Sequence, residues 1–184
     1  MSIKSIKKGA ILLARPSLST DIFSRSVVLI AEHYEGGTIG FIINKSLNLP
    51  ASIFLPSIEG EYIIGEGGPV QRENIYFFHK RPDLIKNSTH IINDIYWSGN
   101  FMDVINAFKT DLITPLELKF FLGYCGWKKG QLEHEIANKE WEILESKGIN
   151  VFETFDNALW KGLLKKLGGD NLLWINTPLD PSMN

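Results

Sequence analysis

The sequence predicts an α+β fold with about seven or eight strands and three or four helices. Short β-branched and apolar runs separated by glycine or proline turns fill most of the first half of the chain, and helical periodicity is concentrated in the second half. A doubly wound parallel sheet would instead alternate strands and helices along the chain. Of the 184 residues, 44% are hydrophobic, so we expect a single domain, residues 1–184, with a large core.

The strands are predicted from apolar runs that end at turn residues. The first run stops at Arg15-Pro16, because the residue before a proline is driven out of the helical region. The second and third runs are nearly continuous in apolar character and are joined by Gly36-Gly37, which predicts a hairpin covered on both faces. Pro50 and Pro56 predict an irregular segment over residues 48–61. The predicted strands are residues 11–14, 27–31, 39–43, 62–64, 75–79, 90–92 and 95–97.

The helices are predicted from apolar spacing and capping residues. Residues 101–108 place four apolar side chains on one helix face, after a cap at Ser98 or Asn100. Residues 114–117 have a capping-box pattern, but the aromatic-rich run 119–124 favours a strand there. Helices are also predicted over residues 131–139 and 159–167, with a half-exposed strand around Trp141 and Ile143 between them and a loose tail after residue 177. Asp156 is the expected cap of the last helix, and Gly168 is its expected end.

Charge and cysteine content bear on partners and compartment. Nineteen basic side chains against twenty-one acidic ones give a net charge of −2, which does not favour direct binding to nucleic acid. Cys125 is the single cysteine, so no intramolecular disulfide can form. The sequence shows neither a signal peptide nor an apolar run long enough for a membrane helix, so we expect a cytoplasmic protein with no membrane partner.

Three short motifs suggest chemistry, but each is explained more simply by structure. His134-Glu135 resembles a zinc-protease motif, but Asn138 stands where the second histidine is needed, so we expect no metal. The loop 65–69 lacks the lysine of a phosphate-binding loop, which favours a tight turn over an anion cradle, and we expect no cofactor. Cys125 has no basic neighbour within two positions, which indicates buried packing.

Other polar side chains leave two interpretations open. Arg15 and Arg25 could grip a carboxylate or phosphate, or could pair with Asp21. His33 could cap a hairpin or act as a base at a strand end. Gln131 and Glu135 share a helix face and could line a pocket or face solvent. The candidate ligand-binding residues are Arg15, Ser17, Asp21, Arg25, His33, Asn44, Gly67, Gly68, Trp127, Gln131 and Glu135.

The order and spacing of several segments resemble the YqgE/AlgH family over about residues 9–168. The first signature consists of Leu13-Ala14-Arg15-Pro16-Ser17-Leu18, Asp21, Phe23, Arg25-Ser26-Val27-Val28, Glu32-His33, Gly37, Gly40 and Asn44-Lys45. Later matches are Gly67-Gly68-Pro69-Val70, Gly123-Tyr124, Gly126-Trp127, Gly130-Gln131-Leu132-Glu133, Glu135, Asn138, Trp141, Trp160 and Gly168. The chain departs from the family pattern at Thr38, where alanine is common, and at Ser46, where proline is common.

The resemblance implies a mixed, largely antiparallel bifurcated sheet with barrel-like curvature, surrounded by helices, in a bacterial cytoplasmic protein. The family has no settled biochemical activity. One branch carries the name of a transcriptional regulator, which implies no known DNA-binding element. The sequence agrees, because it contains no helix-turn-helix with a basic recognition helix.

Three functions are compatible with these observations. The first is a regulatory or binding module for a small ligand or protein partner, linked to transcription without direct DNA contact, because the polar signature segments gather in loops. The second is a hydrolase or transferase in which His33 is the general base, Arg15 or Arg25 the clamp, and the Gly67 and Gly68 amides further donors. The third is a DNA-binding regulator, which the acidic pI disfavours.

Overall fold

The computed structural model describes residues 5–16, 18, 22–60, 62–153, 155–156 and 158–175. The described residues form ten strands joined in one sheet. These are β1 (Ala10–Ala14), β2 (Val27–Tyr34), β3 (Gly37–Ile42), β4 (Ser46–Pro50), β5 (Ile63–Glu66), β6 (Val70–His79), β7 (Thr89–Ile92), β8 (Ile95–Trp97), β9 (Leu118–Lys128) and β10 (Trp141–Glu145).

Four α-helices and one short 3₁₀ helix complete the described elements. They are the 3₁₀ helix Ala51–Ile53, α1 (Phe101–Lys109), α2 (Gln131–Ala137), α3 (Ala158–Leu167) and α4 (Asn171–Trp174). Asn100 caps α1 by accepting a hydrogen bond from the Met102 amide. The Asp156 carboxylate accepts one from the Ala158 amide at the start of α3, and Gly168 follows that helix with a positive φ of 65°.

The sheet is mixed, largely antiparallel and bifurcated, in agreement with the prediction. Its main path runs β10-β1-β2-β3-β9-β6-β8-β7. The fork lies at β9, because one half of this long strand pairs with β3 while the other half pairs in parallel with β5, which carries β4 outside it. The path ends at β10 and β7 without closing into a barrel.

Both faces of this sheet are covered. Ile11, Leu29 and Phe121 belong to a core beneath α3, whereas Leu12, Ile30 and Trp127 belong to a second core beneath α2. A third core lies between α1 and the β5-β9-β6 part of the sheet. The burial of alternate residues of β2 on opposite sides confirms the hairpin covered on both faces.

Most predicted strands and helices are confirmed, and one segment differs. Residues 48–50 of the segment predicted as irregular belong to β4, because Leu49 and Pro50 pair with β5. Asn48, at a φ of 55°, lies at the register shift between Ser46 and Leu49. The strand favoured over residues 119–124 is confirmed as part of β9, and residues 114–117 form a turn before it. The Glu117 carboxylate accepts bonds from the Thr114 amide and hydroxyl, and β9 begins immediately afterwards.

The predicted tail after residue 177 lies outside the described residues. Within the described part of the chain, the helices are too short and too polar to cross a membrane.

Candidate functional site

The chain leading into β2, residues 22–27, is held by Asn44 and Lys45. The buried Asn44 side chain accepts a hydrogen bond of 2.8 Å from the Val27 amide and donates one of 3.0 Å to the Arg25 carbonyl oxygen. The Lys45 ammonium donates to the Ile22 carbonyl oxygen at 2.6 Å. Asn44 therefore links the end of β3 to the start of β2, and both the oxygen and the nitrogen of its side-chain amide are hydrogen-bonded.

The two signature arginines lie against tryptophan rings. Arg15 pairs with Glu142 of β10, and its guanidinium lies 4.8 Å from the centre of the Trp174 ring. Burial lowers the Arg15 pKa. Arg25 lies 5.5 Å from the centre of the Trp160 ring. Ser17 and Asp21 lie outside the described residues, so the Asp21 pairing stays a prediction.

The later family matches Trp127, Gln131, Glu135 and Trp141 form a cluster in which two tryptophans surround one carboxylate. Glu135 accepts hydrogen bonds from the indole N–H of Trp127 at 2.7 Å and of Trp141 at 2.9 Å. Its other oxygen accepts the Gln131 amide at 3.0 Å, so the predicted Gln131–Glu135 contact on α2 is present. Phe23 packs its ring against both tryptophans. The first signature therefore meets these later matches at the tryptophan rings, and both oxygens of the Glu135 carboxylate already accept hydrogen bonds.

Gly67 and Gly68 occupy a crossing where the backbone of β9 leaves no room for a side chain. A Cβ at Gly67 would collide with the Gly123 carbonyl oxygen, and one at Gly68 would collide with the Tyr124 backbone. The Gly67 amide donates to Leu122, while its carbonyl oxygen accepts from Ile42. The segment predicted as a tight turn is therefore the end of β5 followed by a crossing of β9, and the Gly67 backbone groups are bonded to the neighbouring strands.

Cys125 is fully buried beside this crossing, and its thiol donates to the Gly67 carbonyl oxygen at 3.3 Å. Burial raises the pKa of the thiol, so it stays protonated at neutral pH. The prediction that Cys125 is a packing residue is confirmed. Among the described residues, no group of three His, Cys, Asp or Glu side chains is arranged to hold a metal ion.

His33 lies apart from the arginines, near the far end of β2. Its Nδ1 is 2.9 Å from the Thr38 hydroxyl across the hairpin. The ring lines a cleft of about 340 Å³ together with Tyr34, Lys128 and Lys129. Val27 begins β2 two residues after Arg25, and His33 is the seventh residue of the strand. A strand advances about 3.3 Å per residue, so His33 lies roughly 20 Å along β2 from Val27.

A larger cleft of about 420 Å³ lies where β4 and β5 meet the start of β9 and the segment after β10. We call it the apolar cleft. Its polar lining residues include Ser46, Asn48, Lys119 and Glu153. Its apolar wall includes Tyr62, Ile63, Leu116, Leu118, Phe152 and Phe155. Mostly apolar walls with a few polar groups are typical of sites for small molecules.

Two apolar side chains at the mouth of this cleft are exposed to solvent. Leu116 is 71% exposed and Ile63 is 41% exposed. Phe155, inside the cleft, packs its ring where a Cβ on Gly65 would stand. The absence of a side chain at Gly65 therefore makes room for this wall.

Lys119 lies at the inner end of the apolar cleft, and the residue is only 7% exposed. Its neighbours Leu118 and Phe120 face the core beneath α1, so strand alternation directs Lys119 to the opposite face. The ammonium donates to the carbonyl oxygens of Val151 and Glu153 at 2.9 and 2.8 Å, and lies 3.8 Å from the centre of the Phe155 ring. Burial lowers the Lys119 pKa to about 7, against the opposing effect of the Glu153 carboxylate.

Lys119 is not among the candidate residues predicted from sequence. The signal that could have found it is a lone charge in an otherwise apolar strand, residues 118–125, because a charge buried there must be compensated. The residues from Phe152 to Phe155 carry no motif that would have placed them beside β9. Of the candidates predicted from sequence, His33 lines the smaller cleft, and none is among the residues lining the apolar cleft.

Comparisons with known proteins agree with this architecture. The family model described as AlgH-like matches residues 11–172. A UPF0301 protein of Cytophaga hutchinsonii is 34% identical over 181 residues, covering 97% of this chain and all of that protein. One of Parabacteroides distasonis is 37% identical, covering 96% of this chain and 91% of its own length.

Two solved structures share the fold. The solution structure of the AlgH protein from Pseudomonas aeruginosa aligns with a TM-score of 0.72 at 23% identity, over 97% of this chain and 98% of that one. A crystal structure of a Corynebacterium diphtheriae protein aligns with the same TM-score at 21% identity, over 96% and 95% of the two chains. Together with the near full-length relatives, the match of the family model establishes that this chain belongs to the AlgH-like family.

Proposed function

We propose that this protein is a cytoplasmic regulatory module that binds a small ligand in the apolar cleft. The observation that carries the proposal is the cleft itself, a concavity of about 420 Å³ with aromatic and aliphatic walls and a buried lysine at its inner end. That volume lies within the range of typical ligand sites, about 300–1,000 Å³. A role in transcriptional regulation would then act through a partner protein rather than through direct contact with DNA.

The distribution of the other candidate groups favours this function over the alternative enzyme. A hydrolase or transferase built on His33 needs an arginine clamp close to the imidazole. Arg15 and Arg25 instead lie against Trp174 and Trp160, at the opposite end of β2. The Gly67 amide, another donor of that hypothesis, is bonded to the Leu122 carbonyl oxygen.

The test is to map small molecules onto the protein by NMR. A panel of amphipathic compounds of about 10–15 heavy atoms is titrated into isotope-labelled protein, a size that the cleft volume accommodates. We expect compounds that bind to change the protein's amide chemical shifts mainly at Ile63, Leu118 and Phe155. Hits that map instead to His33 and Lys129 would contradict the assignment of the site.

Matched variants sharpen this test. Leu116→Trp fills the mouth of the cleft and should weaken binding about tenfold or more, since it removes space for the ligand. Met102→Trp places the same ring on α1, at a side chain that is 60% exposed, and should leave binding unchanged. Equal affinities in the two variants would count against the proposal.

A further inference from the structure

Lys119 is a buried cation that forms no ion pair with a carboxylate among the described residues. Glu153, which also lines the cleft, offers its backbone carbonyl oxygen to the ammonium, while its exposed carboxylate raises the Lys119 pKa without forming an ion pair and accepts a bond from Asn150 at 3.3 Å. Buried charges in folded proteins are ordinarily paired, because neutral dipoles replace only part of the lost hydration.

One of the three ammonium protons is held weakly. Two donate to carbonyl oxygens at 2.8 and 2.9 Å, but the third contact, to the Ile43 carbonyl oxygen, is 3.5 Å long. That length is outside the usual range of about 2.7–3.2 Å for such hydrogen bonds. A stronger acceptor that enters the cleft can therefore take this proton without displacing the two short bonds.

We propose that the ligand of the apolar cleft is an amphipathic carboxylate, whose anionic group pairs with Lys119 and whose aliphatic or aromatic body packs against Phe155, Ile63 and Leu116. The inference rests on the function proposed above and names the chemistry of its ligand. A single lysine balances a single negative charge. Phosphate groups are typically held by several donors or by an arginine fork, which the described lining of the cleft lacks.

The experiment compares octanoate with 1-octanol, which has the same chain and no charge, by calorimetry on the full chain at pH 6. We expect octanoate to bind about tenfold more tightly, the size expected for one charge-assisted hydrogen bond in a buried site. NMR shifts at Leu118 and Phe155 identify the cleft as the place of binding. Inorganic phosphate should not compete with octanoate.

Two variants test the role of the ammonium. Lys119→Met should bring the affinities for octanoate and 1-octanol within about twofold of each other, because it removes the charge but keeps a long apolar side chain. Leu116→Glu alters a largely exposed residue and leaves the core untouched, so it keeps the test valid if Lys119→Met fails to fold. It should weaken octanoate much more than 1-octanol, since it places a like charge at the mouth.

The outcomes separate the two proposals. If 1-octanol binds in the cleft as tightly as octanoate, and Leu116→Glu affects both equally, then the carboxylate assignment is overturned while the cleft remains a ligand site. If neither compound nor any member of the wider panel shifts the cleft residues, then the proposed function fails as well. Competition by inorganic phosphate would overturn the carboxylate assignment.

Discussion

The two ends of β9 each bury a polar side chain, but they differ in the partners that those side chains find. At one end, the Trp127 indole meets the Glu135 carboxylate, which also takes hydrogen bonds from Trp141 and Gln131. At the other end, the Lys119 ammonium has carbonyl oxygens and a phenyl ring around it, but pairs with no described carboxylate. A polar cluster that is internally complete stabilises the fold, whereas one that lacks a counter-ion has room for a ligand.

The comparison also separates residues that form a recognisable motif from residues that can bind. Trp127, Gln131 and Glu135 stand out in the sequence, yet their polar atoms are occupied by one another. Lys119 stands out much less, yet it lies in the larger of the two clefts described. A sequence signature of this kind can therefore consist of residues that stabilise the fold rather than residues that bind a ligand.

The largest effect is expected when the complete cluster is broken. Glu135→Ala leaves the Trp127 and Trp141 indole donors unpaired in residues that are nearly buried, so the free energy of unfolding should fall by about 2–4 kcal/mol. Urea denaturation followed by tryptophan fluorescence measures it. Glu133→Ala, an exposed position on the same helix, is the control and should change stability by less than about 0.5 kcal/mol. Equal losses in the two variants would contradict the structural role of Glu135.

The next effect concerns the glycine crossing near the middle of β9. Gly67→Ala pushes a methyl group against the Gly123 carbonyl oxygen, so we expect a loss of about 1–3 kcal/mol in the free energy of unfolding. Gly162→Ala, on α3 with open space around it, should instead stabilise by about 0.5–1 kcal/mol. Chemical denaturation of both variants measures the sign of each change in the free energy of unfolding. An unchanged free energy in Gly67→Ala would show that the backbone at the crossing can shift to accept a methyl group.

The Lys119 end of the strand predicts a dependence of stability on pH. The folded-state pKa of about 7 lies below the ordinary value of 10.5, so the unfolded chain binds more protons between these values. Stability should therefore fall as the pH is lowered from about 10 to 7, by at most about 1.4 kcal/mol per pH unit from this group. Lys119→Met should flatten that slope, while Lys165→Met, on the exposed side of α3, should keep it. Parallel slopes in both variants would contradict the assignment.

A smaller effect on the pH dependence of stability is expected from His79, another buried polar group. The ring is fully buried, its Nδ1 accepts a bond from the Arg81 amide, and its Nε2 has no partner among the described residues. Burial lowers the His79 pKa from 6.5, against the opposing effects of a Ser98 backbone contact and the Asp83 carboxylate.

The stability held by neutral His79 is present above pH 6.5 and is lost as the pH falls below that value. Melting temperatures at pH 7.5 and 5.5 should therefore differ more for the wild-type protein than for His79→Phe, which keeps a ring among Phe77 and Tyr96. His134→Ala, at an exposed position, should retain the wild-type difference.

Much of this fold could be predicted from sequence because its signals are local. The continuous apolar runs of β2 and β3 required cover on both faces, and the spacing of Val104 and Ile105 placed α1. β4 was missed because its proline argued against a strand, while the pairing with Ile63 and Ile64 that overcomes it is not local. The capping-box pattern at Thr114 formed its hydrogen bonds, but in a turn, since the strand that follows competes for the same residues.

The candidate site was less accessible to sequence reasoning. The apolar cleft is assembled from four separate segments, and Phe155 reaches Lys119 only because the segment after β10 folds back across the sheet. Residue spacing carries no record of such a contact. Three of the predicted candidates, Trp127, Gln131 and Glu135, are in contact, but as a hydrogen-bonded structural cluster. His33 lies apart from them, across the hairpin from Thr38.

The most direct test of the account is the titration of the Lys119 ammonium by NMR in labelled protein, with and without octanoate. The account predicts a pKa near 7 in the free protein and a shift toward the ordinary 10.5 when octanoate is bound, because the carboxylate supplies the missing counter-ion. A titration that is the same with and without saturating octanoate would contradict it.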